Sequence, residues 1–346
     1  MNTEISTINM PSFKQPPYRF VPLENIFEQS SEVKWLIEDY IPKQSIGMLY
    51  GPSGVGKSHI VLDMAVRIAN GIPWCDNETE QGVVLIMAGE GNSGLGRRLK
   101  SIEKRHGIKI DEGRLFFSER AVGIDTEKGF NELIEAIEAL VTKPDLIIVD
   151  TLSRHLMSSS ENNNEDMANF INKLEQIKQR YDTTVLIVHH TGKNVNNGSR
   201  GASSIRANID FSFKLSSFTI AGHSIIDLEC EKQKDASDKV PDLSFDIVTV
   251  ELDEFDSKGR QITGACAHAC TVTADTEDNV YQAIALDSFA SDKSEWQKKF
   301  LKMVDEELDA KITPDTVKKK FRALVKELID LKLVEQVGKG KFKLPD

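Results

Sequence analysis

The segment Gly51-Pro52-Ser53-Gly54-Val55-Gly56-Lys57-Ser58 fits G-x-x-x-x-G-K-[ST] and constrains the chain more than any other feature. Glycines let the backbone wrap an anion with its N–H groups pointing inward, where a Cβ would obstruct. The segment lies between an apolar run, 46–50, that reads as a strand, and a helix expected over 57–70. In that helix Ile60, Met64, Ala65 and Ile68 fall at helical spacing. The helix brings its positive N-terminal end to the same point. Residues 51–58, with His59 after them, are therefore expected to hold nucleotide phosphates. Lys57 should reach the β- and γ-phosphates, and Ser58 should ligate Mg2+.

The rest of the chain fills in a fold around this turn. Apolar strand candidates at 83–88, 115–117, 146–149 and 184–188 alternate with helices expected at 97–105, 128–141 and 165–180. Strands buried on both faces and separated by helices predict an α/β domain with a mostly parallel sheet. Beyond about residue 210, the segments 211–215, 224–229, 243–250 and 266–272 read as antiparallel strands extending the sheet at its edge. From about residue 275 the pattern changes to helices at 279–288, 295–306 and 314–331 and a hairpin over 333–344. Thr313 and Pro314 suit the cap and first position of the third helix. Three helices and a hairpin predict a winged-helix-like module. The expected organisation is a lead-in at 1–30, an ATPase-type domain at 31–274 and the winged-helix-like domain at 275–346.

Composition limits the classes of function. A chain of 346 residues with 40% hydrophobic and 28% charged residues is neither disordered nor collagen-like. No apolar run approaches the roughly 18 residues of a membrane span. Residues 1–17 lack the apolar centre of a secretory signal, and four cysteines suit a reducing compartment, so a cytoplasmic location is expected. Net charge of −11 excludes a uniformly basic nucleic-acid coat protein. The last 36 residues nevertheless carry 10 Lys/Arg against 5 Asp/Glu. Cys266, His268 and Cys270 alternate along a strand candidate and share a face. Two thiols and one imidazole do not complete a tetrahedral zinc site, so strand packing is expected there.

Three strand ends add chemistry to the phosphate turn. The run 146–149 ends in Asp150, a carboxylate suited to the metal side of a nucleotide. The run 83–88 leads to Gly89 and Glu90, whose carboxylate is suited to take a proton from an attacking water. The run 184–188 ends in His189 and His190, of which one is expected to sense the terminal phosphate and the other to be structural.

Taken together, 51–58, Ala88-Gly89-Glu90, 146–151 with Leu152-Ser153-Arg154, His189-His190 and 199–203 resemble the RepA-like hexameric replicative helicases. These are RecA-fold P-loop ATPases of plasmids, phages and mobile elements. The resemblance covers about Trp35 to Asp246 and implies a RecA-like core, ATP with Mg2+, and a ring with ATP between subunits. It implies phosphate and metal roles for Lys57 and Ser58, base catalysis by Glu90, and a metal-side role for Asp150. The sensor is His190 or His189. In that family an arginine reaches the neighbouring site from beyond the Arg-Gly-Ser segment; here Asp210 stands at the aligned position. Arg206 is one substitute. Lys232 and Lys234 also resemble the Lys-x-Lys/Arg element of DnaB-type helicases, which gives the order Lys234, Lys232, Arg206 for an in-trans cation.

The loop 191–206 is rich in Gly, Asn and Ser and carries Lys193, Arg200 and Arg206. A cationic loop of this kind can track single-stranded DNA phosphates without reading sequence. Arg154 opens a second candidate loop. In the tail, Lys319, Arg322 and Lys341 are candidate contacts to duplex DNA through the winged-helix-like module. The expected activity is an ATP-dependent helicase or translocase on single-stranded DNA in replication, as a homo-oligomeric, hexameric ring with no membrane partner. Two alternatives stay open. One is an ATP-gated DNA-binding regulator, initiator or helicase loader, and the other a RecA/RadA-like recombination ATPase.

Overall fold

The structure is a computed structural model. It describes residues 20–29, 32–89, 94–191, 205–220, 223–234, 240–270, 285, 288–307, 314–330 and 333–344. The chain divides into two compact units, Met1–Lys34 and Trp35–Asp346. The described part of the first holds α1 (Leu23–Gln29), with Leu23, Ile26 and Phe27 exposed. The boundary expected at 274/275 falls in a stretch outside the described residues.

The second unit begins with a short ribbon, β1 (Trp35–Ile37) against β2 (Ile41–Pro42). Its centre is a nine-stranded sheet. Six strands run parallel: β3 (Ile46–Gly51), β4 (Val84–Ala88), β5 (Leu115–Phe117), β6 (Leu146–Asp150), β7 (Thr184–His190) and β8 (Phe211–Ile220). Their spatial order is β8-β3-β7-β6-β4-β5. Beyond β8, the strands β9 (His223–Gln233), β10 (Leu243–Phe255) and β11 (Gln261–Cys270) continue the sheet antiparallel. This is the mostly parallel α/β sheet with antiparallel edge strands that the sequence predicts.

The parallel strands are apolar on both faces because both are covered. Ile46, Met48, Ile147, Val149, Val185 and Ile187 point to one side, where α4 (Glu127–Glu138) and α5 (Asn164–Tyr181) pack. Leu49, Ile86, Ile148 and Val188 point to the other. There α2 (Lys57–Asn70) and α3 (Leu95–His106) lie with the inner face of β8–β11. Strand β8 is twice its expected length, and β9 and β10 also run on. Their later residues alternate apolar with Ser, Lys, Asp and Glu, so a search for apolar runs stops too early on a sheet with one wet face.

Gly47 on β3 is required by packing. It pairs in register with Phe211 of β8, and the Phe211 ring occupies the space over it. At the other end of the chain, α6 (Lys293–Glu307), α7 (Pro314–Asp330) and the hairpin β12 (Glu335–Gly338) with β13 (Lys341–Lys343) enclose a separate core. Trp296 sits at its centre, with Phe289, Phe321 and Phe342 meeting it edge-on. Among the described residues no helix is long and apolar enough to cross a membrane.

Candidate nucleotide site

Parallel register sets the site along one edge of the sheet. Gly51 pairs with His190, Asp150 with Val188, and Ala88 with Asp150. Four adjacent strands therefore end at the same level, with β7 between the strand of the phosphate turn and the strand of Asp150. At about 4.8 Å per strand they span about 15 Å, the scale of a nucleotide. Ligand sites of open α/β sheets lie at this carboxyl edge, where the strand order reverses.

A cavity of about 530 Å3 opens there. Ser53, Gly54, Gly56, Lys57, Ser58 and His59 form one wall. Ala88, Gly89, Asp150, Thr151 and His190 form another, and Arg97 and Arg98 of α3 a third. Gly56 is the N-cap of α2 at φ +99°, a left-handed conformation, and no side chain caps the helix. The first N–H groups of α2 are thus left to a ligand. A Cβ on Gly56 would also lie 2.6 Å from Ile226 Cδ1. Lys57 is 3% exposed, and its ammonium donates to the carbonyls of Gly51 (2.9 Å) and Pro52 (2.7 Å) at the lip of the turn. Gly51 and Pro52 thus position Lys57, while Val55 is buried in the core. The hydroxyl of Ser58 and the carboxylate of Asp150 face the same cavity, and such hard oxygen donors suit Mg2+.

Burial pushes Lys57 down to about 8, against the pull of the Asp150 carboxylate. A phosphate beside it favours the charged form. Nucleotide binding between about pH 8 and 9 should therefore take up a proton, and affinity should fall as pH rises through that range. Calorimetric titration in two buffers of different ionisation heat measures the uptake. Lys57→Arg should abolish it, because a guanidinium stays charged. Equal enthalpies in both buffers for the unaltered protein would sink the assignment.

Strand alternation separates the two histidines. His190 lines the cavity, whereas His189 is 5% exposed on the opposite face. Burial, with the charges of His190, Lys57 and Arg206, drives His189 down to about 4, so it is neutral in the interior. His59 is likewise driven to about 4, by burial and then by Arg98. Glu90 lies outside the described residues. Its neighbour Gly89 is held by an N–H bond to the Asp150 carbonyl (2.7 Å), and a Cβ there would meet Arg154 Cβ at 2.4 Å. Arg154 is exposed on the turn after Asp150. The loop beyond it is pinned by Asp125, whose carboxylate accepts from the N–H groups of Met157, Ser158 and Ser159.

The three candidate in-trans cations have different settings. A bulge in β9 turns Glu231 toward Tyr50, whose hydroxyl donates to it. Arg206 pairs with the same carboxylate at 3.3 Å and stacks 4.5 Å above the Tyr50 ring. Lys232 donates to the carbonyls of Arg206 (2.8 Å) and Ile209 (2.5 Å), closing the short helical turn between them. Lys234 is the most exposed of the three, at 62%, with Asp210 at 3.5 Å. Asp210 accepts from the Ile46 N–H (2.9 Å), at the end of β3 away from the phosphate turn. Lys193 and Arg200 lie outside the described residues. Lys319 lies on α7, where Arg322 is exposed, and Lys341 is exposed on the hairpin. The residues that motif reading missed are Arg97 and Arg98. Their only signal was a pair of arginines just after the glycine-rich segment 89–96.

The sheet order, the phosphate turn and the carboxylate at the end of β6 fit one class, a P-loop nucleoside-triphosphatase with a RecA-like core. The family model described as AAA domain matches residues 13–196, more than half of the chain, and the chain belongs to that family. The match spans β3 to β7, including the phosphate turn, Asp150 and His190. No curated protein matches the chain.

Proposed function

We propose that this protein is an ATP-driven motor on single-stranded DNA, a replicative helicase or translocase working as a hexameric ring. The observation that carries the reading is continuity. His190 lines the nucleotide cavity, and the chain passes from it directly into the cationic loop 191–206 with Lys193 and Arg200. Arg206, at the far end of that loop, is tied back to Tyr50 next to the phosphate turn. Both ends of that segment are thus fastened to β3, the strand that leads into the phosphate turn. A change at the terminal phosphate reaches the loop through His190, and DNA on the loop reaches the cavity by the same route.

Ser58 and Asp150 would hold Mg2+, which when bound would neutralise charge on the phosphates. Lys57 grips the phosphates, and Glu90 takes the proton of the attacking water. Lys234 sits about 16 Å from its own phosphate turn along β3, out of its reach, so in the ring that the resemblance implies it would act on the site of a neighbouring subunit. A second reading draws on the C-terminal module. Its helix-helix-hairpin order with exposed Arg322, Lys326 and Lys341 suits a winged helix on duplex DNA. Under that reading the ATPase core is a slow switch for a regulator or loader.

The test is ATP hydrolysis with and without a long single-stranded oligonucleotide, on protein sized by light scattering. The motor reading expects stimulation by single strands in a six-subunit species. Glu90→Gln should keep ATP binding and lose turnover by about 10²-fold or more. A slow, unstimulated ATPase with tight duplex binding that survives Lys57→Ala would favour the switch.

A further inference from the structure

Strand β9 carries one residue too many opposite β8. Lys232 pairs with Ser212 and Cys230 with Phe213, so Glu231 is left between them as a bulge. A bulge re-aims the side chain it frees. Here the carboxylate turns across β8 to β3, where it accepts from the Tyr50 hydroxyl. The same carboxylate pairs with Arg206 at 3.3 Å, and the Arg206 guanidinium lies 4.5 Å from the centre of the Tyr50 ring. Tyr50, Glu231 and Arg206 thus close a triangle of contacts among residues far apart in sequence. Burial, and then the bond to Glu231, raise the Tyr50 pKa, so the hydroxyl keeps the proton it donates.

Two corners of the triangle lead to different places. Tyr50 directly precedes Gly51, whose carbonyl holds the Lys57 ammonium at 2.9 Å. Arg206 stands in a helical turn that Lys232 closes by donating to the carbonyls of Arg206 and Ile209. Glu231 and Lys232 therefore grip the same turn, one by its guanidinium and the other by its backbone. The three corners also differ in access. Tyr50 is 3% exposed, whereas the side chains of Arg206 and Glu231 are 43% and 24% exposed. A phosphate in solvent can compete for the guanidinium but cannot reach the hydroxyl. An ion pair this open to water is weak, and a phosphate accepts a guanidinium through two parallel bonds. When Arg206 is drawn away, Glu231 keeps Tyr50 but loses the cation paired with it.

We propose that Glu231 is a positioning residue that couples single-stranded nucleic acid to the phosphate turn. A strand phosphate that takes Arg206 breaks the Arg206–Glu231 pair, and the released carboxylate shifts Tyr50 and, through Gly51, the seat of Lys57. The two states differ by one ion pair, and that difference is what a bound strand can use to shift the site. This rests on the motor reading and names the regulation of its nucleotide site. Neither Glu231 nor Tyr50 lines the nucleotide cavity. Their effect therefore belongs to the response to nucleic acid rather than to basal hydrolysis.

The experiment measures ATP turnover of the full chain with and without a long single-stranded oligonucleotide, for the unaltered protein, Glu231→Gln, Tyr50→Phe and the double variant. Oligonucleotide affinity is measured alongside, with and without a non-hydrolysable ATP analogue. In Glu231→Gln, basal turnover and the KM for ATP should stay within about twofold, while stimulation by the oligonucleotide falls about fivefold or more, the low end of ordinary coupling. The effect of the analogue on oligonucleotide affinity should shrink by the same order, because linkage between two ligands is reciprocal. Tyr50→Phe keeps the ring beneath Arg206 and lacks the hydroxyl, so it reads the same link even if Glu231→Gln does not fold. The double variant should be no worse than either single one, since both break one path. A merely structural role would lower basal turnover and melting temperature and leave the stimulation ratio in place. That result, or unchanged stimulation in both single variants, would overturn the role of Glu231 and leave the motor reading standing. If single strands do not stimulate even the unaltered protein, the motor reading itself fails, and the proposal with it.

Discussion

Lys57→Ala should reduce ATP turnover by about 10³-fold or more, with the protein still folded. Phosphoryl transfer asks little covalent chemistry of a protein, so loss of the cation at the phosphates removes much of what the site contributes. The ammonium is nearly fully buried and held by the carbonyls of Gly51 and Pro52, so no neighbouring lysine can take its place. The stability of the variant is the informative control. Lys57 has a folded-state pKa pushed down to about 8 by burial. An unfolded lysine keeps its proton to about pH 10.4. Between those values the unfolded chain binds more protons, so the stability of the unaltered protein should rise with pH from about 8 to 10. The alanine variant should lack that rise and be no less stable near neutral pH. Thermal melts across this range measure both points. A variant that melts early at neutral pH would mean that Lys57 supports the fold, and its lost turnover would then say little about phosphate contact.

The phosphate turn was legible because its signal is local. Eight consecutive residues carry it, and the flanking strand and helix follow from apolar runs and helical spacing. Asp150 and the pair His189-His190 were legible as strand ends for a related reason, since each follows an apolar strand and parallel register brings such ends level. The choice between His189 and His190 was not legible. It depends on which face of β7 meets the cavity, and both faces of that strand are covered. The bond between Tyr50 and Glu231 joins residues 181 apart and depends on a bulge in β9 that no period-2 pattern reports. Arg98 escaped for a similar reason. On α3 it reads as one of several basic residues on a polar helix, and only the packing of α3 beside α2 brings it to the cavity. Local motifs thus reveal the turn that faces the cavity, while much of the cavity's remaining lining comes from distant parts of the chain.

Gly47→Ala is expected to cost about 3 kcal/mol, a large effect for the smallest possible side-chain addition. A Cβ on Gly47 would lie 2.0 Å from Phe211 Cζ and almost as close to both Cε atoms. The ring has no room to retreat, because Phe211 is fully buried and packs against Phe213. Against a typical stability of about 5–15 kcal/mol this is a major fraction, and the melting temperature should fall by about 6–12 °C. The site should respond as well. Strand β3 leads from Gly47 to Gly51 and on to Lys57, so a shift between β3 and β8 moves the phosphate turn. A displacement near 1 Å there is enough to cost about 10²-fold in rate. Phe211→Leu removes the tip of the ring and should rescue the alanine. The double variant should be more stable than the two single losses predict, by about 1 kcal/mol or more. Additive losses would show that the ring is not the obstacle and that β3 adjusts elsewhere. Rescue of stability together with turnover would tie the seating of the phosphate turn to this one contact beneath it.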